Sequence, residues 1–240
     1  MTTTDPTPGP SATADPKPTI DEIVVGDPPE AWTAAGFSVD DDGTCRIGTV
    51  RVRLVGRLRG KRILDWSLRD TTAGSLAGGS IDGIATRASD RPAPDPDDEP
   101  VNHPNGTLGI DHVVLFTPDG GRTTAAFEAA GFKALRVRDT STYGAPMRQT
   151  FFKAGEVILE LIGPEQPATD GSADGPAGFF GLALTVSDLD AAADQLGTAL
   201  GSPKDAVQPG RRIATLRHRD LGLSVAIALM TPEPGPVGNG

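Results

Sequence analysis

Cysteine is nearly absent from this 240-residue chain: Cys45 stands alone, so no disulfide can form within it. That excludes the small disulfide-stapled class of secreted domain and fits a reducing compartment. Aromatic residues make up only 5% of the chain, so a core has to be built mainly from aliphatic side chains. No run approaches the roughly 18 apolar residues of a membrane-spanning helix. The opening stretch MTTTDPTPGPSATADPKPT has neither a cationic start nor an apolar run and does not read as a signal peptide. A cytoplasmic protein without a membrane partner is expected. Positive charge is also scarce. With a formal net charge of −10 there is no cationic excess to hold phosphates, and no nucleic-acid partner is expected.

Glycine (30) and proline (22) are plentiful, so loops take up much of the chain. The length still suffices to bury a core in one or two domains. Residues 1–18 are Thr, Pro, Asp, Ser and Ala, too polar to offset the cost of ordering, and read as a disordered tail. Residues 233–240 read as a second, flexible tail. Residues 89–108 carry Asp90, Asp95, Asp97, Asp98 and Glu99 against Arg91 alone, and read as an acidic, proline-rich linker or loop.

The best-defined stretch runs from Gly109 to Pro164. Its ends, IDHVVLF (110–116) and VILELI (157–162), are strands. A helix ending at Gly131 and strands over 132–139 and 147–154 lie between them, which makes the order βαβββ. A further unit follows: a strand over 179–186, a helix capped by Ser187 with apolar residues at Leu189, Ala192, Ala193 and Leu196, and closing strands over 212–218 and 223–230. Upstream, a first copy is expected over about 19–70. It has a strand at Ile20–Gly26, a short helix capped by Asp27, strands over 37–41 and 46–55, and a last strand over 62–68. Ile81-Asp82-Gly83 reads as the opening of a truncated second copy. The letters repeat: Ile20-Asp21-Glu22 and Ile110-Asp111-His112 lie 90 residues apart, and Ala34-Ala35-Gly36-Phe37 and Ala129-Ala130-Gly131-Phe132 lie 95 apart. The fold class is therefore α+β, built from repeated βαβββ units. Residues 109–232 hold two units, and 19–88 a divergent, truncated region.

Strand side chains alternate between faces, so Ile158, Glu160 and Ile162 oppose Val157, Leu159 and Leu161. His112, Val114 and Phe116 share a face of the opening strand. If the first and last strands are neighbours, His112 and Glu160 meet away from the helix. An imidazole and a carboxylate suit a divalent first-row metal, but a histidine–carboxylate hydrogen bond lining a pocket uses the same two groups. Tyr143, Arg148 and Gln149 are within chain reach of that cavity as substrate-binding candidates. The run Arg51, Arg53, Arg57, Arg59, Lys61 and Arg62 reads either as a solvated strand face and turn or as a cup for an anion. Cys45 has no nearby partner base and reads as an ordinary small side chain.

IDHVVLFTPD (110–119), VILELIGP (157–164) and ALTVSDLDAAADQL (183–196) together resemble the vicinal oxygen chelate superfamily of glyoxalases, bleomycin-resistance proteins and extradiol dioxygenases. The resemblance covers Gly109 to Pro232 well and residues 19–90 weakly. It implies that pairs of βαβββ units form a cup around a divalent metal (Zn, Ni, Mn or Fe), held by a first-strand residue and a last-strand Glu of each unit. By position His112 and Glu160 would be metal ligands, with Glu160 also a catalytic proton acceptor. The fourth unit departs from the pattern with Gly181 and Ala228, and the first has Glu22 and Asp65. Two functions follow: a glyoxalase-like, metal-assisted lyase, isomerase or dioxygenase acting on a small oxygenated metabolite, or a metal-free small-molecule binding protein of the same fold. A homodimer is a further implication, since related cups often pair.

Overall fold

The computed structural model describes residues 17–95, 97–141 and 144–234. The first half forms β1 (Thr19–Val25), α1 (Pro29–Ala34), β2 (Thr44–Ile47), β3 (Val50–Leu54), β4 (Ile63–Arg69), β5 (Ser80–Ile81) and β6 (Ile84–Ala88). The second half forms β7 (Thr107–Phe116), α2 (Gly120–Ala129), β8 (Ala134–Thr140), β9 (Met147–Ala154), β10 (Val157–Pro164), β11 (Gly178–Val186), α3 (Leu189–Leu196), β12 (Lys204–Asp205), β13 (Arg212–Thr215) and β14 (Ala226–Met230).

The C-terminal sheet has the order β12-β13-β14-β11-β7-β10-β9-β8. Each half is a βαβββ unit whose last strand lies parallel to its first, β10 beside β7 and β14 beside β11. An antiparallel seam between β7 and β11 fuses the two. The N-terminal sheet, β2-β3-β1-β4-β6-β5, repeats this plan with pieces missing. β3 lies parallel to β1, so β3 closes the first unit. β4 runs antiparallel to β1, as β11 does to β7, and therefore opens the second unit.

This corrects the expected boundaries. Residues 62–68 do not close the first unit, since they pair antiparallel with its opening strand. Ile81-Asp82-Gly83 is not an opening strand either. Asp82 (φ 47°) and Gly83 (φ 87°) are consecutive left-handed residues, the conformation of a tight hairpin turn, and they join β5 to β6. The span 37–41 forms no strand. Phe37 leaves α1 to pack on Trp32 at 4.9 Å between ring centroids.

Capping also differs. Asp27 does not cap α1; its buried carboxylate accepts from Ser224 N at 2.9 Å, Ser224 Oγ at 2.6 Å and the Trp32 indole at 3.3 Å, tying the two halves together. Asp188, not Ser187, caps α3, accepting from the N–H groups of Asp190 and Ala191. Both changes follow from which side chain the incoming strand aims at the free amides, a matter of tertiary placement.

Core-facing residues of both sheets and all three helices form one continuous cluster. Trp66 of β4 meets Phe127 of α2 edge-on at 6.3 Å and Phe179 of β11 at 5.2 Å. The sheets thus turn one face to a shared core and leave the other open. Polar contacts reinforce the join: Asp82 accepts from Arg122 Nε at 2.7 Å and from Thr123 Oγ1. The acidic segment is anchored at its C-terminal end. His103 Nδ1 accepts from Ser38 N at 3.1 Å, its Nε2–H donates to Arg46 O at 2.9 Å, and Asn105 Nδ2 donates to Ala35 O.

Candidate functional site

A β-bulge builds the site. Along β7 the seam pairs His112 with Ala183 but Ile110 with Leu184, leaving Asp111 as an extra residue. The bulge breaks the alternation, so Ile110 and Val113 both face the core while Asp111 and His112 both turn to the open side. The imidazole is then held at both nitrogens: Nδ1 lies 2.8 Å from Asp111 Oδ1, and Nε2 lies 3.3 Å from Glu160 Oε2. Gln149 Nε2 donates to Glu160 Oε1, and Arg138 Nε donates to Gln149 Oε1 at 2.8 Å. At the other end Arg211 pairs with Asp111 through Nη2 and donates to Thr231 O through Nε at 2.9 Å. A hydrogen-bonded chain therefore crosses the open face from β8 to the loop before β13.

The chemistry of these groups fixes where the protons are. Arginine only donates, so the Gln149 carbonyl faces Arg138 and its amide faces Glu160. Burial pushes the Asp111 carboxyl up, but hydrogen bonds from His112 and Arg211 outweigh it and hold the group down at about 2. Asp111 is thus an ionised acceptor, and His112 Nδ1 carries a proton. Nε2 and Glu160 Oε2 then face each other at 3.3 Å on the open side of the sheet.

Register also identifies equivalent positions. His112 corresponds to Gly181 in the fourth unit, Glu22 in the first and Asp65 in the second. Glu160 corresponds to Ala228, Arg53 and Arg87. Asp65 is thus a first-strand residue of the second unit, not the last-strand residue of the first. The N-terminal quartet is self-neutralised: Arg53 Nε lies 3.0 Å from Glu22 Oε1, Arg51 also pairs with Glu22, and Arg87 pairs with Asp65. Of the expected basic run, Arg51 and Arg53 face this acid, while Arg57 reaches Asp27 and the Gly222 carbonyl.

The donor set does not fit a resident divalent metal. Gly181 and Ala228 have no side-chain donor atom, and no group of three or more potential ligands occurs among the described residues. Gly181 is held as glycine by close approach, since a Cβ there would lie 2.4 Å from Ala226 O. Of the expected substrate-binding residues, Gln149 faces the site. Arg148 occupies the alternate face of β9 and pairs with Asp139 at 2.8 Å, and Tyr143 lies outside the described residues. Cys45 is buried, which pushes its thiol up to about 12 and leaves it unreactive. Sequence reasoning missed Asp111, Arg138 and Arg211. The three-residue spacing of Ile110 and Val113, against two for Val113 and Leu115, was the signal for the bulge. An open surface cleft, lined by Asp111, Ile158, Lys153 and Thr185, lies beside the chain.

Residues 111–215 match the family model of the Glyoxalase/Bleomycin resistance protein/Dioxygenase superfamily. The match covers less than half of the chain, and with it the C-terminal part of the chain is read as a vicinal oxygen chelate fold. A mutant of 4-hydroxymandelate synthase from Streptomyces coelicolor aligns with 94% of this chain and 95% of its own, at 15% identity and a TM-score of 0.58. A xylose isomerase-like TIM barrel/4-hydroxyphenylpyruvate dioxygenase fusion protein aligns over 97% of this chain and 52% of its own, at 12% identity and a TM-score of 0.54. Methylmalonyl-CoA epimerase from Mycobacterium tuberculosis aligns with 54% of this chain and 91% of its own, at 22% identity and a TM-score of 0.42. At such identities the likeness is one of fold. No curated protein matches the chain. Among the described residues, no helix is long and apolar enough to cross a membrane.

Proposed function

We propose that the open face of the C-terminal sheet binds a small oxygenated organic molecule and that Glu160 and His112 move a proton on it, as in isomerisation or epimerisation beside a carbonyl. The observation that carries this reading is the 3.3 Å approach of His112 Nε2 to Glu160 Oε2, with Asp111 and Gln149 holding the outer atoms of the pair. In the imidazolium–carboxylate form Glu160 takes the proton from carbon. The C–H electron pair becomes a C=C bond, and the carbonyl oxygen takes the Nε2 proton of His112. In an isomerisation the protonated Glu160 delivers its proton to the neighbouring carbon on the same face while an enediol hydroxyl returns a proton to His112. In an epimerisation water protonates the opposite face, the enol hydroxyl reprotonates His112 and Glu160 loses its proton to solvent, so both groups return to their starting state. Lyase or dioxygenase chemistry at a metal would need more protein donors than His112 and Glu160, so a Zn, Ni, Mn or Fe ion here would take the rest of its shell from water and ligand. Both units that build the trough come from one chain, so the reading needs no homodimer.

A second reading, metal-free binding without chemistry, is favoured by the small residues Gly181, Ala183, Ala226 and Ala228 beside the exposed rings of Phe116 and Phe180. The test is deuterium uptake from D2O into a panel of 2-oxo acids, 2-hydroxy acids and acyl thioesters, with elemental analysis of the same protein. Uptake that is lost in Glu160→Gln and His112→Gln is expected. Binding without uptake would favour sequestration, and near-stoichiometric metal that disappears in His112→Ala would overturn the metal-free mechanism.

A further inference from the structure

The two sides of the His112–Glu160 pair differ in charge. Across the open face Arg136, Phe151, Glu160, Val114 and Gly181 are register partners on successive strands β8, β9, β10, β7 and β11. On the β11 side of Glu160 the surface is small and apolar. A second bulge there, with Phe179 opposite Leu115 and Gly181 opposite Val114, pushes Phe180 out to 60% exposure near Phe116. On the β8 side stand two guanidinium groups. Arg136 lies with its Cζ 4.4 Å from the centroid of the Phe151 ring, and Arg138 donates to neutral Gln149. Neither forms an ion pair among the described residues. The contrast with the rest of the sheet is plain, because Arg148, Arg211 and Arg212 each pair with an aspartate. In a chain of net charge −10, two arginines without acid partners among the described residues stand on one side of the open face, an arrangement that favours an anion there.

We infer that the ligand of this trough is an amphipathic anion, with a carboxylate or phosphate group read by Arg136 and Arg138 and an apolar body lying over Val114, Gly181 and Phe180. The inference rests on the proposal above that the trough is the ligand site, and it adds which end of the ligand points which way. Strands are spaced at ~4.8 Å, so the backbone at Arg136 is ~10 Å from that at Glu160. The Arg136 guanidinium already leans over the Phe151 ring on the next strand, so a ligand with two or three carbons between its anionic group and an apolar ring can reach from there past Glu160 to Val114, the near edge of the apolar side. The Phe151 ring positions the Arg136 guanidinium by cation–π contact, leaving its N–H edge to meet planar oxygens. Lys153 stands in the adjoining cleft, but shares it with Glu156 and Glu233 and adds no clear excess there.

Calorimetric titration of the full chain with 3-phenylpropanoate, phenyl phosphate and the uncharged 3-phenylpropanamide tests this. The anions are expected to bind at least ~10-fold more tightly than the amide, and more weakly as salt is added. Arg136→Gln should weaken anion binding ~10-fold, Arg136→Lys should retain most of it, and Arg219→Gln, on an exposed turn, should leave it unchanged. Comparison of the carboxylate with the phosphate says which headgroup the wall prefers. Equal binding of acid and amide, unchanged anion binding in Arg136→Gln, or no binding of any probe overturns the inference. Deuterium uptake separates the two proposals. Anion binding without uptake removes the proton-transfer reading and leaves the anion wall standing. Uptake with amide binding as tight as acid binding does the reverse.

Discussion

The carboxylate of Asp111 stays ionised although most of it is withdrawn from water, because Arg211 and the His112 Nδ1–H both donate to it. Its folded value of about 2 lies below the ordinary 3.8, so this group contributes stability above pH 3.8 that is lost as pH falls toward 2. The contribution is about 2 kcal/mol by the usual conversion of pKa shifts. Asp111→Asn would leave Arg211 buried without a counter-charge, at a cost of roughly 3 kcal/mol at neutral pH in urea unfolding. It should also flatten this acid-side loss. His103 shifts in the opposite sense to a paired histidine. Burial lowers it below the ordinary 6.5, outweighing its bond to the Arg46 carbonyl. The unfolded chain therefore takes up the proton first, and stability should decline as pH falls from about 6.5. Denaturation midpoints at pH 7.5 and 5.5 check this: His103→Gln should show a smaller difference than the parent, and an equal difference would place the titration elsewhere.

At the scale of the element, bulges and turns matter more than strand content. The bulge at Asp111 has a counterpart at Asp21, where Ile20 pairs with Leu68 but Glu22 pairs with Ser67, and each bulged aspartate meets an arginine, Arg211 or Arg69. The repeated Ile-Asp letters therefore encode a shared backbone irregularity. The third occurrence, Ile81-Asp82-Gly83, has the same letters but forms a turn, because Gly83 supplies a left-handed residue where a strand would need an extended one. Gly83→Ala would suffer twice, from φ 87° and from a Cβ placed 2.3 Å from Pro176 Cβ. A loss of more than about 1 kcal/mol in a urea titration is expected. Gly181→His, the simplest attempt to restore a first-strand ligand, should lower the melting temperature rather than confer zinc binding, because the Ala226 carbonyl already occupies the space. Stoichiometric zinc in a stable Gly181→His protein would contradict that account.

On the scale of the whole molecule, both sheets share one core, and the ties between them are buried or half-buried: Asp27 to Ser224, Asp82 to Arg122, and Trp66 against Phe127 and Phe179. The two tryptophans, Trp32 and Trp66, both belong to the N-terminal half. Trp32 fluorescence reports that half and Trp66, packed on Phe127 and Phe179, reports its joint with the other, whereas far-ultraviolet circular dichroism reports the strands and helices of both. Coincident unfolding midpoints are expected, since neither half can lose its face of the core alone. A separate earlier fluorescence transition would show that the halves unfold independently.

The sequence by itself determined the α+β class, the repeated unit and the pairing of His112 with Glu160, because apolar alternation and residue spacing are local properties that strand geometry converts directly into faces. It also showed that Gly181 and Ala228 bring no ligand. Only the tertiary structure decided which strand closes which N-terminal unit, since that depends on the direction of pairing, which individual letters do not encode. The same holds for the groups that hold His112 and Glu160. Arg138 and Arg211 are distant from His112 in the chain, Asp111 turns to the open face only through a bulge set by its pairing with β11, and the way His112 and Glu160 are held facing each other follows from contacts that exist only once five separate segments have come together.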